Sequence, residues 1–181
     1  MQHFSTATRR TFQPPFTVYV NWTASGFRLP TEAEWEKAAR GGLSGCRFPW
    51  GNLISESQAN YYGNTNSYSY DRGPNGYNSI GSIGGTSPAT SPVGSFDVNG
   101  YGLYDMAGNV YAWCWDWYGY GTPYGQPSTV NPTGAGPGSG LRVLRGGFWN
   151  FSASYSRCAC RGADYPNDAN GSFGFRCVRG L

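Results

Sequence analysis

Charge is scarce in this chain: Asp, Glu, Lys and Arg make up 13% of its 181 residues, and His3 is the single histidine. The net charge is +3, and the arginines are scattered through the C-terminal part rather than gathered on one face. Without a basic stripe to track phosphates, nucleic acid is excluded as a partner. No apolar run approaches the ~20 residues that a membrane span needs. The start, MQHFSTATRRTF, lacks the apolar core of a signal peptide, which leaves the localisation open. A zinc pattern is missing too. Cys158 and Cys160 stand too close for the usual pair, no second half exists, and the odd count of five cysteines (with Cys46, Cys114 and Cys177) leaves at least one unpaired within the chain. They read either as small buried hydrophobes or as one or two disulfides. No internal repeat emerges.

What the chain has instead is 28 Gly, 12 Pro and 17% aromatic residues. Disordered chains lack such rings, so a loop-rich domain stapled by buried aromatics is expected, one domain by length. Phe16 to Trp22 reads as a strand. Thr31, three residues before Glu34, forms a capping box that predicts a helix over about 32–40, stopped by Gly41-Gly42. From Cys46 to Val93 turn follows turn. A loop that long is expected to be functional or tied by an ion, and Asn60 and Asp71 are oxygen ligands suited to a hard cation, as well as ordinary turn formers. Val93 to Phe96 reads as a short strand. Tyr111, Trp113, Trp115 and Trp117 alternate, which places the rings on one face of a strand, by default the core face.

The last forty residues combine a frame, Arg145-Gly146-Gly147, Trp149, Arg157, Arg161 and Gly174-Phe175-Arg176, with a filling of rings and small polar groups that includes Asn170. Such a mixture suits a binding surface, since a ring gives contact area at low entropic cost while Ser, Asn and Gly supply adaptable hydrogen bonds. A plain Gly-rich loop region is the competing reading. The frame arginines Arg157, Arg161 and Arg176 are expected to be at least half buried.

With these pieces in place the chain resembles the formylglycine-generating enzyme family, the sulfatase-modifying-factor domains. The matching motifs are residues 26–42 (GFRLPTEAEWEKAARGG), 48–52 (FPWGN), 92–96 (PVGSF), 99–110 (NGYGLYDMAGNV), 142–147 (RVLRGG) with Trp149, and 174–176 (GFR), in family order. The resemblance implies an α+β, C-type-lectin-like fold, loop-rich with short strands and one or two short helices. It divides the chain into a lead-in, 1–25, read as the remnant of a truncated N-terminal part, and the domain itself, 26–181.

The resemblance also implies two copper-binding catalytic cysteines, and their positions fall on Phe151 and Ser156. A phenyl ring cannot ligate copper, and a serine hydroxyl is too weak an acid to replace a thiolate. The expectation is therefore a chain that is not an enzyme, requires no cofactor and binds no copper. Calcium is implied at two places: around Asn60 and Asp71, and at Asp105 with the carbonyls of Gly108 and Val110, where Ala112 stands in place of an expected acid. A member of this kind looks like the variable proteins of diversity-generating retroelements, whose segment between the Gly-Gly and Gly-Phe-Arg motifs displays varied residues to a ligand. Carried onto this chain, the variable region is 148–172. Its expected solvent-facing ligand-binding residues are Phe148, Asn150, Phe151, Ser154, Tyr155, Ser156, Cys160, Gly162, Tyr165, Asp168, Ala169, Gly171 and Ser172. The implied ligand is a protein or cell-surface molecule, and the implied location a cell surface or phage particle. Two alternatives stand beside this reading: a copper-dependent oxidase using Cys158 and Cys160, and a structural or interaction domain with no diversified site.

Overall fold

The computed structural model describes residues 20–81, 89–121, 132, 134 and 137–179. The elements run β1 (Phe27–Arg28), α1 (Glu32–Arg40), β2 (Tyr62–Gly63), β3 (Gly76–Tyr77), β4 (Tyr111–Trp117), β5 (Arg142–Arg145), β6 (Arg161–Asp164), β7 (Phe173–Gly174) and β8 (Val178–Arg179). Four strands form one sheet in the order β6-β5-β4-β7, antiparallel except for the parallel pair β4 and β7. Antiparallel pairing of β1 with β8 joins the two ends of the described chain, and β2 pairs with β3. Apart from single 3-10 turns at Ser79–Gly81 and Pro137–Ser139, the other described residues are turn and loop, so the molecule is α+β and loop-rich.

Helix α1 forms where the sequence places it. The Thr31 hydroxyl accepts from the Glu34 amide (3.2 Å) while the Glu34 carboxylate accepts from the Thr31 amide (2.8 Å), which satisfies two donors that a helix start otherwise leaves unpaired. Gly41 ends it at φ 54°, and a Cβ there would lie 2.7 Å from the Gly100 amide, so both backbone conformation and space demand glycine. Asn99 then seals the last turn by donating to the carbonyls of Ala38 (2.7 Å) and Ala39 (3.2 Å).

Trp35 and Ala39 of α1 pack with Met106, Ala112, Cys114, Val143 and Cys158 in one core, and Phe48, Ile54, Ala59, Tyr61, Ala107 and Ala153 form a second. The sheet accordingly has a helix face (Ala112, Cys114, Asp116, Val143, Arg145, Arg161) and an opposite face carrying the alternate residues. This reverses the expectation for the three tryptophans of β4, while Tyr111 is buried as expected. The small residues Ala112, Cys114 and Asp116 are buried under the helix, whereas Trp113, Trp115 and Trp117 are only partly buried on the other side. Trp35 of α1 packs in the same core as Ala112 and Cys114, and its bulk leaves room for small side chains at those positions of β4. The displaced rings take the Arg142 guanidinium instead, 4.7 Å from the Trp115 ring and 3.6 Å from a ring of Trp117.

Other expectations change as well. Val93 to Phe96 forms no strand. Gly94 turns the chain at φ 76°, and its amide donates to Asp105 instead of a neighbouring strand. Of Phe16 to Trp22, residues 16–19 lie outside the described residues, and the described end forms no strand. All five cysteines are free thiols, with Cys114 and Cys158 buried as small hydrophobes. The long loop after Cys46 is tied by buried polar side chains. Asp71 accepts from the Tyr61 hydroxyl (2.5 Å) and the amides of Asn64 (2.6 Å) and Gly73 (2.9 Å), while Asn78 donates to the carbonyls of Glu56 and Ala59.

Candidate functional site: an aromatic groove beside the edge strand

The groove opens on the face of the sheet away from α1. Glycine sets its first wall. Gly147 sits at φ 73°, and a Cβ there would come within 2.9 Å of the Tyr155 backbone, so only glycine lets the chain pass beneath residue 155. Beyond it the rings form a ladder: Tyr111 to Phe148 at 5.3 Å between centroids, Phe148 to Phe151 at 4.0 Å, and Phe151 to Tyr155 at 4.4 Å. The second wall is Asn170 to Phe173, with Phe173 edge-on to Trp113 at 5.4 Å. Strand β6 and Leu144 complete an open cavity of about 650 Å³.

Seven expected binding residues come together here: Phe148, Asn150, Phe151, Tyr155, Gly162, Gly171 and Ser172. Tyr155 is exposed, and Phe148 and Phe151 are half buried against each other. Asn150 accepts from the Tyr77 hydroxyl at 2.9 Å. Tyr165, Asp168 and Ala169 are exposed on a turn outside the groove, closed by the Asp168 amide donating to the Tyr165 carbonyl (2.9 Å), while Ser154 and Cys160 are half buried, also outside it. Ser156 is a correction. It is 1% exposed, because its amide closes a turn onto Ala153 and its backbone packs beneath Gly147, so it cannot face a ligand.

The frame arginines split. Arg161 reaches under the sheet to Glu32, donating at 2.6 and 2.8 Å to its two oxygens. Arg176 is partly buried and donates to the Asp105 carbonyl at 3.0 Å. Arg157 is exposed, contrary to expectation: among the described residues it forms no ion pair, and its Nε donates to the Ser154 carbonyl at 2.8 Å. Sequence reasoning missed Tyr111, Ala163, Asp164 and Phe173 as groove residues. Tyr111 alone carried a signal, being the first ring of the alternating run. A Cβ on Gly162 would stand 3.1 Å from the Tyr111 ring, so the glycine keeps that ring in place.

The groove is mostly neutral. Arg161 is matched by Glu32, and burial first, then the neighbouring Cys160 and Tyr155, drives the Tyr111 phenol upward so that it stays protonated. No group of three or more His, Cys, Asp or Glu side chains among the described residues is arranged to hold a metal ion. Phe151 and Ser156, at the positions implied for copper, supply no donor that fits it. Burial pushes the Cys158 thiol up to about 11 and raises that of Cys160, which disfavours their thiolates. Of the implied calcium ligands, Asn60 donates its amide to Ala89 and Asn109, Asp71 is engaged as above, and Gly108 donates its amide to Gly146. Val110 is partly buried, and Asp105 keeps one buried carboxylate oxygen without a partner.

A model of the sulfatase-modifying factor enzyme 1-like domain matches residues 16–181. The chain belongs to that family. Formylglycine-generating enzyme of Streptomyces coelicolor is 42% identical over 90% of this chain and 49% of its own length. Serine/threonine-protein kinase pkn1 of Chlamydia caviae is 42% identical over 90% of this chain and 22% of its own. Among solved structures, Treponema denticola variable protein 1 is similar at 35% identity and a TM-score of 0.64, covering 87% of this chain and 49% of that one. This chain thus spans about half, or less, of each relative, and shares the C-type-lectin-like architecture of the solved neighbour. The expectation that it is not an enzyme is overturned by the Streptomyces coelicolor relative, an enzyme by name at 42% identity. That expectation rested on two side chains, whereas the likeness runs through nine-tenths of the chain. Among the described residues, no helix is long and apolar enough to cross a membrane.

Proposed function

We propose that the groove is a ligand-binding site that receives an extended segment of another protein, and that its side chains belong to a diversified display surface. The observation that carries this reading is the convergence of seven of the expected ligand-binding residues on one cavity lined by rings. Strand β6 supports the class of ligand. It is an outer strand of the four-stranded sheet, it lines the groove, and its central residues Gly162 and Ala163 are small enough for a second backbone to approach. An added strand would gain main-chain hydrogen bonds from that edge, with the ring ladder taking alternate side chains. The likeness to a protein named as variable supports diversification. This reading needs no cofactor for binding.

Selection of a random peptide library on the purified chain tests the ligand class, with amide hydrogen exchange to locate the best binder. Slowed exchange in 161–164 and loss of binding in Phe151→Ser are expected. A binder that protects other segments and ignores the substitution contradicts the reading. Diversification is tested in the DNA around the gene, where a near-copy of the region encoding 148–172 should differ only at adenines.

A further inference from the structure

Arg157, expected to be at least half buried and found exposed, has a neighbour in the same condition. The ion pairs among the described residues use Arg28, Arg40, Arg145 and Arg161, whereas Arg47 and Arg157 are exposed and take part in none of them. The backbone sets the two close together, because the amide of Cys158, the residue after Arg157, donates to the Arg47 carbonyl at 2.7 Å. Both charges act on one pair of rings. Arg47 lies over Tyr70 at 5.2 Å, and Tyr70 stacks on Tyr68 at 5.3 Å. Hydroxyls gather at the same place: Ser152 Oγ is 3.0 Å from Ser154 Oγ and 3.4 Å from the Tyr68 hydroxyl.

We propose that Arg47, Arg157 and the hydroxyls of Tyr68, Ser152 and Ser154 form a binding site for a tetrahedral oxyanion, phosphate or sulfate, free or as a monoester. Each guanidinium offers a planar fork of donors that matches the oxygens of such an anion, and two forks with three hydroxyls exceed what the two oxygens of a carboxylate can take. Arg157 is held along its inner edge, its Nε donating to Ser154 while the side chain also lies against the Cys160 thiol. Hydrogen bonds from the Ser152 and Ser154 hydroxyls, with a smaller contribution from the Arg157 charge, lower the Tyr68 phenol below its usual range. The nearby acid, Asp71, is buried and already accepts from Tyr61, Asn64 and Gly73, so it does not compete for the guanidiniums. None of these residues lines the aromatic groove, so the site stands or falls independently of the peptide reading.

Calorimetric titration of the chain at low ionic strength with inorganic phosphate, inorganic sulfate, glucose 6-phosphate and sodium acetate tests the proposal. Saturable binding of the tetrahedral anions is expected, with Arg157→Gln and Arg47→Gln each weakening it about tenfold or more, the loss of a charge-assisted bond. Tyr68→Phe should weaken it less. Since all three side chains are at least partly exposed, circular dichroism of each variant should match the parent and so separate lost binding from lost folding. Tighter binding of the monoester than of free phosphate assigns the source to a substituted ligand, and the reverse order to the free ion. Acetate binding as tightly as phosphate, no saturation by any anion, or affinity unchanged in the Arg47→Gln, Arg157→Gln double variant would each overturn the proposal.

Discussion

On the helix face of the sheet, charge is buried and paired; on the groove face, Phe148 and Phe151 stand half exposed beside the buried Tyr111, and the charges are Arg142 and Asp164 at one end. Arg145 is 0% exposed and bonds Glu36, the Cys160 carbonyl and, at 3.5 Å, Glu32, itself 0% exposed and forked by Arg161. Asp116 accepts from the Glu32 amide at 2.7 Å and is covered by Gly134, where a Cβ would come 2.7 Å from its free oxygen. Across the same strands stand Tyr111, Trp113, Leu144 and Gly162. Glu32, Arg145 and Arg161 cannot change without leaving a buried partner alone, whereas a ring on the groove face loses only its neighbours' contact. A scaffold with one fixed face and one permissive face can carry varied residues without losing its fold.

The largest effect should follow from breaking the fixed face. Arg145→Met leaves Glu32 and Glu36 short of a buried cation and should cost about 3–5 kcal/mol in denaturant unfolding. Next comes a dependence on pH. Burial, together with the charge of Glu32, pushes the Asp116 carboxyl up to about 6 from an ordinary 3.8. Its folded value lies above the unfolded one, so its contribution is full below pH 3.8 and is lost as pH rises through 6. The resulting penalty reaches about 3 kcal/mol at neutral pH. Asp116→Asn should remove that slope, so that the difference between variant and parent melts shifts in favour of the variant from pH 4 to pH 7. A constant difference would refute the assignment.

Smaller effects belong to the permissive face. Phe148→Ser and Phe151→Ser should each cost about 1–2 kcal/mol, between the loss of a full core ring and that of an exposed one, since each keeps an aromatic pair worth about 0.5–1.5 kcal/mol. Smallest of all is Arg157→Ala, which should melt within about 0.5 kcal/mol of the parent, in place of the several expected of a buried frame arginine.

Local chemistry was the legible part of the sequence. The Thr31/Glu34 box and Gly41 marked α1 to the residue, because a cap acts within one turn. The alternation over Tyr111 to Trp117 gave the strand but the wrong face, since hydrophobicity ranks a tryptophan above an alanine and says nothing of how closely a helix will approach. One wall of the groove, 148–155, was readable from its rings. Along β6 only Gly162 was expected, through the family likeness, since Ala163 and Asp164 look like any loop and gain meaning only from pairing with Val143 and Arg142. Arg157 and Arg161 are the same residue four positions apart. Only contact with Glu32, more than a hundred residues away in sequence, tells them apart.

The most direct test of the central claim is one variant in which Phe148, Phe151, Tyr155 and Tyr165 all become Ser, measured for thermal unfolding and for calorimetric binding of a peptide selected on the parent. The account predicts a cooperative melt, lowered by the partial burial of the two phenylalanines, together with loss of peptide binding. A chain that no longer folds would show that these aromatics are core, and a folded chain that binds the peptide as tightly as the parent would show that the groove is not where the ligand sits.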